Sequence, residues 1–196
     1  LIPFFVAIFY GQGDANAFLY TVLLMIPIAL ILIKIKGKKN EIYAKEGFLT
    51  VGLAWILISV VGALPFVISG AIPSFIDAFF ETSSGFTTTG ASILTEIQSL
   101  PKGILFWRSF THWVGGMGFL IFILALMPTF SGNTIHLLKA ESPGPTPGKI
   151  VPKIKQTAKI LYAIYFVLTL IETIFLKSAG LSWYDSIIHA LGTAGT

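Results

Sequence analysis

Four stretches of this chain stay apolar for as long as a helix needs to cross a bilayer, and that length decides the solvent. A membrane-spanning helix takes about 20 mostly apolar residues. Residues 17–35, 48–69, 104–128 and 158–177 each meet this requirement, with Pro27 inside the first as a candidate kink. Residues 1–10 are apolar but only half a span long, without the basic start and small-residue cleavage site of a signal peptide. They read as a helix whose start is missing. Charged side chains make up 11% of the chain, against roughly 25% in a soluble domain. Too few charges remain to cover a soluble surface, which excludes a soluble enzyme, a disordered tail and a nucleic-acid-binding module. The chain has no cysteine, so disulfide frameworks and thiolate chemistry are excluded as well.

The basic residues set the direction of the spans. Lys34, Lys36, Lys38, Lys39 and Lys45 form one group, and Lys139, Lys149, Lys153, Lys155 and Lys159 form another. Short basic loops between apolar runs mark the cytoplasmic side. With loops 36–47 and 129–157 inside, span 48–69 runs outward, 104–128 inward and 158–177 outward. Segments 70–103 and 178–196 then fall on the outer side, and the assignment is consistent from end to end.

The outer segment 70–103 is not an ordinary loop. Ser74-x-x-Asp77 is a capping-box-like helix start. Phe75-Ile76-Asp77-Ala78-Phe79-Phe80 follows, apolar enough to be buried, and then Ser83-Ser84-Gly85-Phe86-Thr87-Thr88-Thr89-Gly90 without a helical period. The pattern predicts a short helix dipping into the membrane and an extended polar strand returning. A shift of 108 residues repeats it: Ser74 and Asp77 fall on Ser182 and Asp185, Glu81 on His189 and Thr88 on Thr196. The spans before the two segments superpose within a few residues. Both copies run from inside to outside, so they are parallel repeats, unlike the inverted repeats of many secondary transporters. The fold class expected is an all-α integral membrane protein of repeated helix, pore helix, filter loop and helix units, like a potassium channel. Irregular backbone at membrane depth is tolerated only where protein or water surrounds it. Several units must therefore meet around an axis, and the chain reads as a piece of a larger assembly.

The loop chemistry suits a monovalent cation. Potassium filters replace water with rings of backbone carbonyls. Threonine adds a hydroxyl oxygen, and glycine allows backbone angles that aim a carbonyl inward. Thr87-Thr88-Thr89-Gly90 supplies both and carries no charge. A re-entrant turn with no ion is the bland alternative.

At this point the sequence resembles a known family. The run Phe80 to Ala91 resembles the first pore loop of the Trk/Ktr/HKT potassium transporters, closest to the TrkH branch. The stretch Leu105 to Gly118, with Arg108, His112 and Gly115-Gly116-x-Gly118, resembles the helix that follows it. Glu141 to Pro145 and Pro152 to Ala158 resemble the family's cytoplasmic connector, and Ala190 to Thr196 the approach to its second filter. The resemblance implies four repeats arranged pseudo-fourfold around one pore, usually as a homodimer in the bacterial cytoplasmic (inner) membrane, gated by a TrkA-like nucleotide-binding ring subunit. It divides the chain into an N-terminal hairpin and cytoplasmic loop (1–47), a first pore repeat (48–128), a connector (129–157) and a second repeat (158–196). The resemblance also implies potassium as the transported ion, with no organic cofactor on this chain. Thr88 and Thr89 would ligate it through backbone oxygen, Thr87 lines the same strand, and Gly90 matches the filter glycine. Family members with serine there tend to favour sodium. In the second repeat Gly195 and Thr196 sit at the matching edge.

Other residues carry structural expectations. Glu81, ionisable at membrane depth, is expected to brace the loop. Arg108 is expected in a structural salt bridge or snorkelling to the interface, and His112 in helix packing. The glycines at 115, 116 and 118 clear one helix face for close approach. Glu172 must face protein or water. Pro143, Pro145, Pro147 and Pro152 mark a stiff connector. The alternatives to a pore are an ion-coupled (proton or sodium) symporter and, remotely, an intramembrane hydrolase pairing Ser83 or Ser84 with His112 or His189.

Overall fold

The structure, a computed structural model, describes residues 1–34, 44–118 and 154–195. Most of the two basic loops, the proline-rich connector, the inner end of the third span and Thr196 lie outside the described residues. Among the described residues the regular secondary structure is all helical, without a β-strand.

Helix α1 (Ile2–Tyr10) starts with Pro3 in its first turn and stops at Gly11, whose φ of 63° is the left-handed closure that glycine permits. A tight turn leads into α2 (Ala15–Lys34), which holds Pro27 in its interior. Helix α3 (Ala44–Ile68) is the long helix of the first repeat. The short α4 (Phe75–Phe86) follows, then α5 over residues 102–118. The second repeat contributes α6 (Ile154–Ser178) and α7 (Trp183–Gly195). Three of these helices are long and apolar enough to cross a membrane, spanning Ala15–Lys34, Leu49–Ile68 and Ala158–Ser178. The third expected span corresponds to α5, described as far as residue 118.

The two short helices start 108 residues apart, at Phe75 and Trp183, each after a capping serine. The amide of Asp77 donates to Ser74 Oγ over 3.4 Å, and the amide of Asp185 to Ser182 Oγ over 3.0 Å. Ser182 closes its box by donating to Asp185 Oδ2. Helix α4 runs further than the residue pattern suggests, through Ser83-Ser84-Gly85-Phe86. The helix tolerates these weak formers because packing decides: Gly85 lies where a Cβ would collide with the Thr111 side chain.

Helix α5 is the wall between the two repeats. On one side Ala7, Phe18, Ala63, Phe66, Ala78 and Ile104 bring α1 to α5 into one apolar cluster. Trp107 anchors this side by donating from its indole to Gly62 O over 2.9 Å. On the other side Phe106, Ile188 and Leu191 join α5 to α7. Helix α6 adds polar ties: the Trp113 indole donates to Thr169 Oγ1, and the Tyr165 hydroxyl to Trp113 O. The expected glycine face is used for close approach. A Cβ on Gly115 would collide with Phe86 O, and one on Gly116 would stand 2.6 Å from the Tyr165 hydroxyl.

Gly115→Ala therefore forces backbone apart rather than a flexible side chain. It should destabilise the protein by about 1–3 kcal/mol, the usual range for overpacking, read as a lower melting temperature of the purified protein. Gly192→Ala has open space for its Cβ and should change the melting temperature little.

Candidate functional site

The loop after α4 departs from an extended strand at its first residues. Thr87 closes the helix with φ −81° and ψ 3°. Thr88 has φ 58°, and among the described non-glycine residues it is the one in the left-handed region. The Thr88 amide donates to Gly85 O and the Thr89 amide to Ser84 O, at 3.0 and 2.9 Å. This pair of bonds is a Schellman closure, and its left-handed position usually belongs to glycine. Threonine there costs about 1–2 kcal/mol, and strained backbone of this kind concentrates at functional sites. Gly90 returns to the left-handed region with φ 73°. The hydroxyl of Thr87 donates to Ser83 O over 2.8 Å, which leaves Thr89 Oγ1 to donate across the 2.8 Å contact between the two threonines.

Two polar side chains of α4 hold the next residues against the helix. Ser84 donates to Ala91 O over 2.6 Å. Glu81, only 1% exposed, accepts from Ser92 Oγ at 3.0 Å and from the Ile93 amide at 3.1 Å. It also receives Arg108 Nε from α5 at 2.6 Å. A buried carboxylate so supplied with donors is satisfied rather than exposed to bulk solvent. Glu81 thus ties the residues after the loop to α4 and α5, and Arg108 takes the salt bridge. His112 is buried, with Nδ1 3.0 Å from Arg108 O. Ser84 gives its hydroxyl hydrogen to Ala91 O, and among the described residues neither Ser83 nor Ser84 is hydrogen-bonded to His112 or His189, so no serine–histidine pair is assembled.

A groove of about 940 Å³ separates the first loop from the second short helix, with Gly90, Arg108, His112, Tyr184, His189 and Thr193 in its lining. His189, the counterpart of Glu81, is exposed on this side of α7. Gly195, expected near the second filter, is the last residue of α7. A Cβ there would collide with the His112 backbone, so it is a point of close packing on α5. Thr196 lies outside the described residues.

The residue pattern did not single out Ser92, Gln12 or Asp14. Gln12 Oε1 accepts the Lys102 amide at 2.6 Å and Asp14 Oδ2 the Ile104 amide at 3.1 Å, so the hairpin turn caps the first turn of α5. An acidic residue in the turn between two apolar runs was the available signal.

Membrane-length helices and a short capped helix that ends in a loop of left-handed threonine and glycine together have the make-up of an all-helical integral membrane protein built from pore-helix units. The chain belongs to the TrkH family, described as cation transport protein, whose sequence profile matches residues 14–191. It is 41% identical to the Trk system potassium uptake protein TrkH of Escherichia coli (strain K12), an alignment that covers 98% of this chain and 41% of that protein. The namesake protein of Halomonas elongata is 34% identical over 97% of this chain and 40% of its own length. The crystal structure of the potassium transporter TrkH from Vibrio parahaemolyticus superposes with a TM-score of 0.76 at 34% identity, covering 97% of this chain and 38% of that one. The chain therefore spans about two fifths of the length of these relatives, which are transporters and not enzymes.

Proposed function

We propose that residues 48–128 and 158–196 carry the first and part of the second pore repeat of a potassium uptake protein, with Thr87-Thr88-Thr89-Gly90 as the first quarter of its filter. The observation that carries this is the backbone hand of the loop: left-handed at Thr88 and Gly90, with Thr89 at negative φ between them. In a strand, successive peptide groups alternate sides. Alternating hand instead turns neighbouring carbonyls toward one side, as a row of ion ligands requires. Helix α4 also ends at this loop, and the negative end of its macrodipole favours a cation there.

In this proposal Thr88 and Thr89 ligate potassium through backbone oxygen, Thr87 and Thr89 lock each other's hydroxyls, and Glu81 holds the exit of the strand. Gly195 and Thr196 lead into the second quarter, which further repeats complete around the axis. The complete protein sits in the cytoplasmic membrane with 1–47 as hairpin and cytoplasmic loop and 129–157 as cytoplasmic connector. It works as a homodimer with a nucleotide-binding ring subunit. Selectivity for potassium over sodium, read by rubidium and sodium entry in cells lacking their own potassium uptake, tests the filter. Because the working ligand is main-chain oxygen, Thr88→Ala should keep the rubidium-to-sodium entry ratio within about threefold of wild type, roughly 0.6 kcal/mol. A larger effect than that of Gly90→Ser would overturn the backbone assignment.

A further inference from the structure

The N-terminal hairpin has no part in the filter, yet its turn holds the helix that braces it. Two of the unpaired amides that begin any helix are, in α5, satisfied from about 90 residues away by Gln12 and Asp14. Asp14 is 4% exposed and sits tightly: a Cβ on Gly103 would collide with its Oδ2 and come 2.7 Å from the Ala7 Cβ. Its second oxygen, Oδ1, is buried without a hydrogen-bond partner among the described residues. A lone carboxylate there is favoured by the positive end of the α5 dipole. One turn into α5, Trp107 is tied to Gly62, and Arg108 to Glu81. Glu81 in turn holds Ser92 and Ile93, just past Gly90. The same turn reaches the second repeat: Lys102 Nζ lies 4.3 Å from the centre of the Tyr10 ring and 5.1 Å from that of Tyr184, whose hydroxyl donates to Lys102 O.

We propose that Asp14 is a positioning residue for ion selectivity: by capping α5 it fixes the height of Arg108, and through Glu81 the exit of the filter strand. The proposal rests on the filter assignment above, and its consequence differs from that of a plain structural contact. A contact needed only for folding lowers the number of transporters in the membrane and leaves the ion preference of each one unchanged. A positioning contact changes the preference itself. Asparagine in place of Asp14 would keep an oxygen for the Ile104 amide, whereas alanine keeps none.

The experiment uses the full-length transporter in cells lacking potassium uptake, with rubidium and sodium entry measured per transporter in the membrane. Wild type, Asp14→Ala, Asp14→Asn, Gln12→Ala and Gly90→Ser are compared. Asp14→Ala should lower the rubidium-to-sodium ratio by about threefold or more, within the range remote substitutions exert on coupling, while Asp14→Asn stays within about twofold of wild type. If Asp14→Ala fails to reach the membrane, Gln12→Ala decides, and a lowered ratio there supports the proposal. A ratio that falls for Gly90→Ser but is unchanged in Asp14→Ala, or in Gln12→Ala where that variant decides, overturns the positioning role and leaves the filter standing. A ratio unchanged in Gly90→Ser overturns the filter, and the positioning role with it.

Discussion

Gly90→Ser in the full-length transporter is expected to lower the preference for rubidium over sodium by about tenfold, equivalent to about 1.4 kcal/mol between the two ion barriers. The reason is conformational. Gly90 sits at φ 73°, where a residue with a Cβ pays about 1–2 kcal/mol. Serine relieves that strain by rotating its peptide group, and the carbonyl row proposed as the filter then loses its alignment. Gly90 is exposed, so the amount of protein in the membrane should hold. Isotope entry for both ions, normalised to transporter amount, reads the result. Undiminished rubidium preference would place ion choice elsewhere in the chain and bring the ion-coupled carrier forward.

Glu81→Ala is expected to do more damage and of another kind. It strips the acceptors from Ser92, the Ile93 amide and Arg108 at once. Breaking one side of a buried ion pair costs about 3–5 kcal/mol, because the other charge is left uncompensated. Uptake should drop to background and the melting temperature of the purified protein should fall. Glu81→Gln keeps an oxygen for Ile93 and should retain part of both. Arg108→Gln alone strands the carboxylate, so combining it with Glu81→Gln should cost less than the sum of the two single changes, the sign of a direct interaction. Strict additivity would mean that the pair is not coupled in the working protein.

The fold was readable where one local rule governed each element. Apolar length gave α2, α3 and α6 to within a few residues, and serine followed by aspartate at the third position marked the starts of α4 and α7. The need of Glu81 for partners was readable because a carboxylate at that depth requires donors. A salt bridge was readable as one option for Arg108, but its partner was not: Glu81 is 27 residues away on another helix, and no pattern along the chain specifies which faces of two helices meet. Thr88 defeated the pattern for a different reason. A β-branched residue argues for extended backbone, and here the helix closure overrides it with a left-handed turn. Asp14 escaped because a charge in the turn of a hairpin looks like any solvated loop until the start of α5 arrives.

That late arrival has a consequence for how the protein is made. The hairpin leaves the ribosome about 90 residues before α5 does, which at about 5–20 residues per second is a delay of roughly 5–20 seconds. For that time Asp14 has no amide to serve, and burying its charge unpaired would cost several kcal/mol. The turn must therefore wait hydrated at the membrane surface, and it becomes buried only when Lys102 and Ile104 emerge beside it. Insertion of the hairpin and completion of the first repeat are in this way separate events, joined by a single carboxylate that the nascent chain keeps in water until its helix appears.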